Sequence, residues 1–210
     1  MISILIADDH AIMRRGLMEI LLRDMQDVTF GEAENAPQVL AQLQARHWDL
    51  LILDITMPGR SGMDLLVDLV KLKPKLPVLV LSMHCEDQYG KRVLKVGAAG
   101  YMTKDSAPEE LIKAIRKLLS GGRYVSERLG ETLAANLNED AEGPPHEALS
   151  AREFEIFRMI ALGKTVGQIA DELGLSTTTV STHRSRIMDK LNLTTTSDLI
   201  RYAFHYHLVD

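Results

Sequence analysis

Short apolar runs alternate with helical stripes along the N-terminal part of the chain. The runs at residues 2–7, 28–33, 50–53, 78–81 and 100–103 have strand length. Leu50-Leu51-Ile52-Leu53 has no polar interruption, which predicts a strand buried on both faces. Between the runs the period changes: Leu17, Ile20 and Leu21, then Val39, Leu40 and Leu43, recur at i, i+3 or i+4 and predict helices with one apolar side. A last such helix spans 108–119 and ends at Gly121-Gly122. The alternation predicts an α/β doubly wound, five-stranded parallel sheet closing near Gly121. From Leu149 onward only the helical period remains, so a small all-α domain is expected there.

Polar residues end four of the runs. Asp8-Asp9 follows the first, Asp54 the third, Ser82 the fourth and Lys104 the fifth, and Pro58-Gly59 punctuates the loop after Asp54. Parallel strands open their C-terminal ends into one crevice, so three carboxylates are expected to meet there. Their mutual repulsion calls for a hard cation, and Mg²⁺ is the small one held by a few carboxylates. A hydroxyl and an ammonium beside them suit the oxygens of an acyl phosphate.

Asp8, Asp9, Asp54, Ser82 and Lys104, in that order on successive strands, resemble the site of a bacterial response-regulator receiver domain of flavodoxin-like fold. The resemblance implies that Asp54 is the phosphoacceptor, assisted by Lys104 and Ser82. It also implies Mg²⁺ held by Asp8, Asp9, Asp54 and the backbone carbonyl of Thr56, and Tyr101 as the aromatic switch. His84, two residues after Ser82, is expected to be a solvated loop residue. A haloacid-dehalogenase-like phosphohydrolase also uses a strand-end Asp with Mg²⁺, but it wants a second acid where Thr56 stands. A phosphate-independent DNA-binding protein with a degenerate receiver is the nearer alternative, and the intact acidic set argues against it.

Composition narrows the remaining choices. Cys85 is the single cysteine, so no internal disulfide forms and a reducing compartment is expected. The first residues carry no basic leader and no apolar stretch approaches membrane-spanning length, which predicts a cytoplasmic protein without membrane contact. A net charge of -5 excludes a generic polyanion binder, so nucleic-acid contact must come from a local patch. The seven histidines show no metal spacing.

After Tyr124 a stretch of helical character leads into the acidic, Pro/Gly-containing residues 138–145, expected to be a flexible linker. Residues 1–122 are therefore assigned to the first domain, 123–148 to the linker and 149–210 to the second domain. Ser150 with Glu153 three residues later predicts a capping box. Further on, Ala170, Gly174 and Val180 have the spacing of a helix-turn-helix: a small residue where two helices cross, a tight turn, and an anchor for the second helix. Together with Leu149 to Glu153, Gly163, Thr182-His183 and Lys190-Leu191, this resembles the LuxR-type output domain. After a receiver it implies a two-component regulator of the NarL/FixJ class, with a sensor histidine kinase and double-stranded promoter DNA as partners.

Helical geometry assigns the faces of the second helix, about 177–191. Val180, Ile187 and Leu191 share the buried side, and Thr178, Thr182 and Ser185 lie opposite, toward base edges. His183, Arg186 and Lys190 flank one side and Ser181 and Arg184 the other, within reach of phosphates. The family often has Lys where Ser181 and Ser185 stand. Residues 147–210 hold seven Lys or Arg against eight Asp or Glu, so useful affinity is expected only from a homodimer, formed on phosphorylation. Leu199, Tyr202, Ala203 and Tyr206 form an apolar stripe read mostly as core.

Overall fold

A computed structural model of the chain describes residues 1–57, 62–137 and 144–209. The Pro58-Gly59 turn and residues 138–143 of the expected linker lie outside them. The chain divides into two compact units, Met1–Asn136 and Leu137–Asp210.

The first unit is a five-stranded parallel sheet in the order β2-β1-β3-β4-β5. Its strands are β1 (Ile2–Ala7), β2 (Val28–Ala33), β3 (Leu50–Asp54), β4 (Val78–Ser82) and β5 (Gly100–Thr103). The third and fourth each run one residue beyond the apolar run read from sequence, so Asp54 and Ser82 are strand residues. Helices α1 (Ala11–Asp24), α2 (Ala36–Ala45), α3 (Gly62–Leu72), α4 (Glu86–Val96) and α5 (Pro108–Leu119) connect and follow the strands. Strand alternation sends Ile4, Ile6, Leu50, Ile52, Leu79, Leu81 and Met102 into one core layer with Leu17, Leu21, Leu111, Ile112 and Ile115 of α1 and α5. The intervening residues Leu5, Leu51, Leu53 and Val80 are equally buried on the opposite face. Gly31 on β2 lies flush under the ring of Trp48, where a Cβ would come within 2.1 Å of the indole. Arg46 covers that ring at 3.7 Å.

The chain does not leave the first unit at Gly121. Tyr124 pairs with Gly100 alongside β5, and α6 (Glu127–Leu137) follows. Leu129 of α6 is fully buried against Gly90 of α4, and the Ser126 hydroxyl donates to Glu86. Glycine at position 90 permits that close approach between the two helices.

The second unit packs α7 (Ala151–Ala161), α8 (Val166–Leu173), α9 (Thr177–Leu191) and α10 (Thr196–His205) around Phe154, Phe157, Ile169, Val180, Ile187 and Leu199. The capping box of Ser150 and Glu153 forms, and two more open α8 and α10, from Thr165 with Gln168 and Thr195 with Asp198. Gly174 takes the left-handed conformation (φ 62°) that turns α8 into α9, and Asn192 (φ 52°) ends α9 in the same way.

Candidate functional site

Period-two alternation aims Asp54. Ile52 belongs to the core layer under α1 and α5, and Asp54, the last residue of β3, follows two residues later on that side; Asp8 and Lys104 lie just beyond the ends of β1 and β5 and meet Asp54 there. Asp8 and Asp54 are both buried. The Lys104 ammonium lies 2.7 Å from Asp8 Oδ2 and 2.7 Å from Asp54 Oδ2. Burial acts to lower the pKa of Lys104. Its hydrogen bonds to Asp54 and Asp8, with their charges, prevail and hold it above the ordinary lysine value. The remaining Asp54 oxygen, Oδ1, accepts the Thr56 backbone N–H at 2.8 Å and the Thr56 hydroxyl at 2.6 Å.

Asp9 completes the acidic set. Ligand atoms of Asp8, Asp9, His10 and Asp54 all lie within 4.8 Å of one another. Asp9 Oδ1 is buried and accepts no hydrogen bond, although His10 Nδ1 stands 2.9 Å away without the alignment for one. Three carboxylates, one of them with a buried oxygen lacking a hydrogen bond, against a single ammonium form a donor set that fits a hard divalent cation.

On the other face of the sheet end, Ser82 is fully buried and its hydroxyl accepts the His84 backbone N–H at 3.1 Å. Tyr101 is also fully buried and points inward, its hydroxyl donating to the His84 carbonyl at 2.8 Å. Burial raises the Tyr101 phenol well above its ordinary value, against a hydrogen bond with Ser82. His84 is half-buried rather than solvated: its ring stacks on Tyr89 with centroids 4.4 Å apart.

In the second unit, Val180, Ile187, Met188 and Leu191 are the buried side of α9. Thr178, Ser181, Thr182, Ser185 and Arg186 are exposed, and His183 and Arg184 are partly covered. Two of the cations are tied down within the unit. Lys190 Nζ pairs with Glu153 at 2.6 Å and donates to the Ala148 carbonyl at 3.2 Å, and Arg184 donates to the Thr196 hydroxyl at 2.8 Å. Tyr202 is half-buried and Tyr206 is 37% exposed, so the α10 stripe is core only at Leu199 and Ala203.

The response regulator receiver domain family matches residues 4–116, and the luxR family of bacterial regulatory proteins matches residues 147–203. The chain belongs to the response regulators. This response regulator carries a LuxR-type DNA-binding domain after its receiver. It is 34% identical to response regulator GacA of Pseudomonas aeruginosa over 212 residues, covering 100% of this chain and 99% of GacA. It is 31% identical to response regulator UvrY of Escherichia coli over 210 residues, covering 99% of this chain and 96% of UvrY. RcsB from Salmonella enterica serovar Typhimurium, solved bound to promoter rprA in the presence of the phosphomimetic BeF3-, is 30% identical with a TM-score of 0.69. That match covers 96% of this chain and 98% of RcsB.

Two residues at the response regulator's acidic edge were not read from its sequence. His10 closes over Asp8 and Asp9, and its position immediately after the acid pair was the available signal. Arg14 is buried on α1 in the same stripe as Leu17 and Leu21, and an arginine in an apolar stripe was the mark to notice.

Proposed function

We propose that Asp54 is the phosphoacceptor of a two-component system. A carboxylate oxygen of Asp54 attacks the phosphorus of a phosphohistidine on a sensor histidine kinase; the P–N bond breaks and the imidazole departs with its electron pair, leaving an acyl phosphate. The support for this reading is the pairing around Asp54, with Lys104 on one oxygen, Thr56 on the other, and Asp8 and Asp9 alongside. Asp8, Asp9, Asp54 and the Thr56 carbonyl would hold Mg²⁺, which supplies charge neutralisation for the phosphoryl oxygens. Lys104 steadies one of those oxygens, and Ser82 with Tyr101 reads the phosphate. The chain has no larger catalytic task than weak self-dephosphorylation.

The proposed output is binding to promoter DNA as a phosphorylation-favoured homodimer. Thr178, Thr182 and Ser185 face base edges, while Ser181, His183, Arg184, Arg186 and Lys190 serve the backbone. Lys190 must then release Glu153, or contribute nothing. We take residues 1–122 as the receiver with α6 packed back on it, the rest of 123–148 as the linker and 149–210 as the output domain, working in the cytoplasm. No helix among the described residues is long and apolar enough to cross a membrane.

The test is labelling by acetyl phosphate with Mg²⁺. Wild type is labelled and Asp54→Ala is not; persistent labelling overturns the assignment. Sedimentation and DNA binding with and without beryllofluoride test the second half, and a mimic that changes neither association nor affinity removes the switch.

A further inference from the structure

Arg14 is an unusual residue to find under the acidic edge. It sits on the inward side of α1 at 5% exposure, in line with Leu17 and Leu21. Its guanidinium makes three separate hydrogen bonds: Nε to Glu32 at 2.7 Å, Nη2 to Glu34 at 2.8 Å, and Nη1 to the backbone carbonyl of Asp8 at 2.8 Å. Glu32 and Glu34 are about half exposed, so water alone would satisfy them. An apolar residue in this stripe would serve the core at least as well as a buried cation.

The bond to the Asp8 carbonyl is the buried one of the three, out of reach of bulk water, and a leucine offers no donor for it. The Asp8 N–H is already fixed to the Ala33 carbonyl at 3.1 Å. With Arg14 on its carbonyl, both main-chain polar groups of Asp8 are fastened, one to the end of β2 and the other to a cation that is itself held by Glu32 of β2 and Glu34 just after it. This happens where Asp8 and Asp9 must stay close against their own repulsion, since left free they would separate.

We infer that Arg14 is the positioning residue of the metal site: it holds the Asp8-Asp9 backbone in the geometry that receives Mg²⁺, without touching the ion. The inference rests on the proposed reading of the acidic edge as a Mg²⁺ site. Partners of this indirect kind change metal affinity by about 10- to 100-fold.

The experiment is calorimetric titration of the full chain with Mg²⁺, using wild type, Arg14→Lys and Arg14→Met. Arg14→Lys keeps the charge and the aliphatic stem but not the three-way fork. Both variants are expected to bind Mg²⁺ about tenfold more weakly, the low end of that range. Arg14→Met is the sharper arm, because removing a positive charge near a cation site would by itself tighten Mg²⁺ binding. Labelling by acetyl phosphate should slow in both at limiting Mg²⁺ and return to the wild-type rate at saturating Mg²⁺. If either folded variant binds Mg²⁺ as wild type does, or if Arg14→Met binds it more tightly, Arg14 only supports the fold and the inference is overturned. If wild type binds no Mg²⁺, the reading of the acidic edge itself fails, and the inference falls with it.

Discussion

The acidic edge of the sheet and the outer face of α9 are both polar, but burial separates them. At the sheet edge Asp8, Asp54 and Lys104 are taken out of water, so each charge must be met by a partner at a fixed distance. On α9, Thr178, Ser181, Thr182 and Ser185 stand in water, and the Thr182 hydroxyl turns back to the Thr178 carbonyl of its own helix rather than to the core. A buried polar site is constrained by the cost of leaving it incomplete. An exposed one is constrained only by what it meets, so its chemistry is far freer to vary.

The largest expected effect tests whether the two regions are energetically separate. Phe157 is fully buried among Phe154 and Tyr202, and Phe157→Ala should cost the output domain about 3–5 kcal/mol. DNA binding should disappear while acetyl phosphate labelling of the receiver is unchanged. A receiver whose thermal transition moves with the mutation would make the two regions one cooperative system.

A smaller effect probes the strain of the buried site. Asp9→Asn removes one of three clustered carboxylates and should raise receiver stability without Mg²⁺ by about 1 kcal/mol, measured by denaturant unfolding. Saturating Mg²⁺ should shrink that advantage. A destabilised variant would mean that Asp9 serves the fold rather than a ligand.

The exposed face is tested by adding a charge. Ser181→Lys should tighten DNA binding at low salt and steepen the slope of log affinity against log salt by about 0.9, the contribution of one phosphate contact. An unchanged slope would place residue 181 away from the DNA backbone.

The smallest effect is a pH dependence. Burial acts to raise the pKa of Glu153, but the Lys190 ammonium and the Ser150 N–H overcome it and hold the carboxyl below its ordinary 4.5. A folded pKa below the unfolded one contributes stability that is complete above about pH 4.5 and is lost as pH falls through the folded value. The thermal midpoint of the output domain should therefore fall on acidification below that point. Glu153→Gln should flatten the fall.

The buried site was largely legible in the sequence for the same reason that it is constrained. Asp54 and Ser82 end uninterrupted apolar runs, and strand alternation then determines which side chains share a face. His10 and Arg14 carry only faint marks in the sequence, a histidine after two acids and an arginine in an apolar stripe, because their roles come from contacts with Asp9 and with the Asp8 carbonyl that appear only on folding. On α9 the period of 3.6 separated Val180, Ile187 and Leu191 from the outer residues. It could not foresee that Lys190 would turn back onto Glu153 and the Ala148 carbonyl, since that pairing depends on how α7 and α9 pack. That α6 packs back on the first unit is hidden in the sequence for a similar reason. The fit of Leu129 against Gly90 joins residues far apart in the chain.

Trp48, pressed against Gly31 and capped by Arg46, is the only tryptophan in the chain. Its indole emission therefore reports the receiver alone, while the output domain contributes only tyrosine and phenylalanine signals. A red shift of that emission during unfolding marks the opening of the sheet around β2. Far-ultraviolet ellipticity follows the helices of both units, so the gap between the two curves is an optical measure of how independently the receiver and the DNA-binding half come apart.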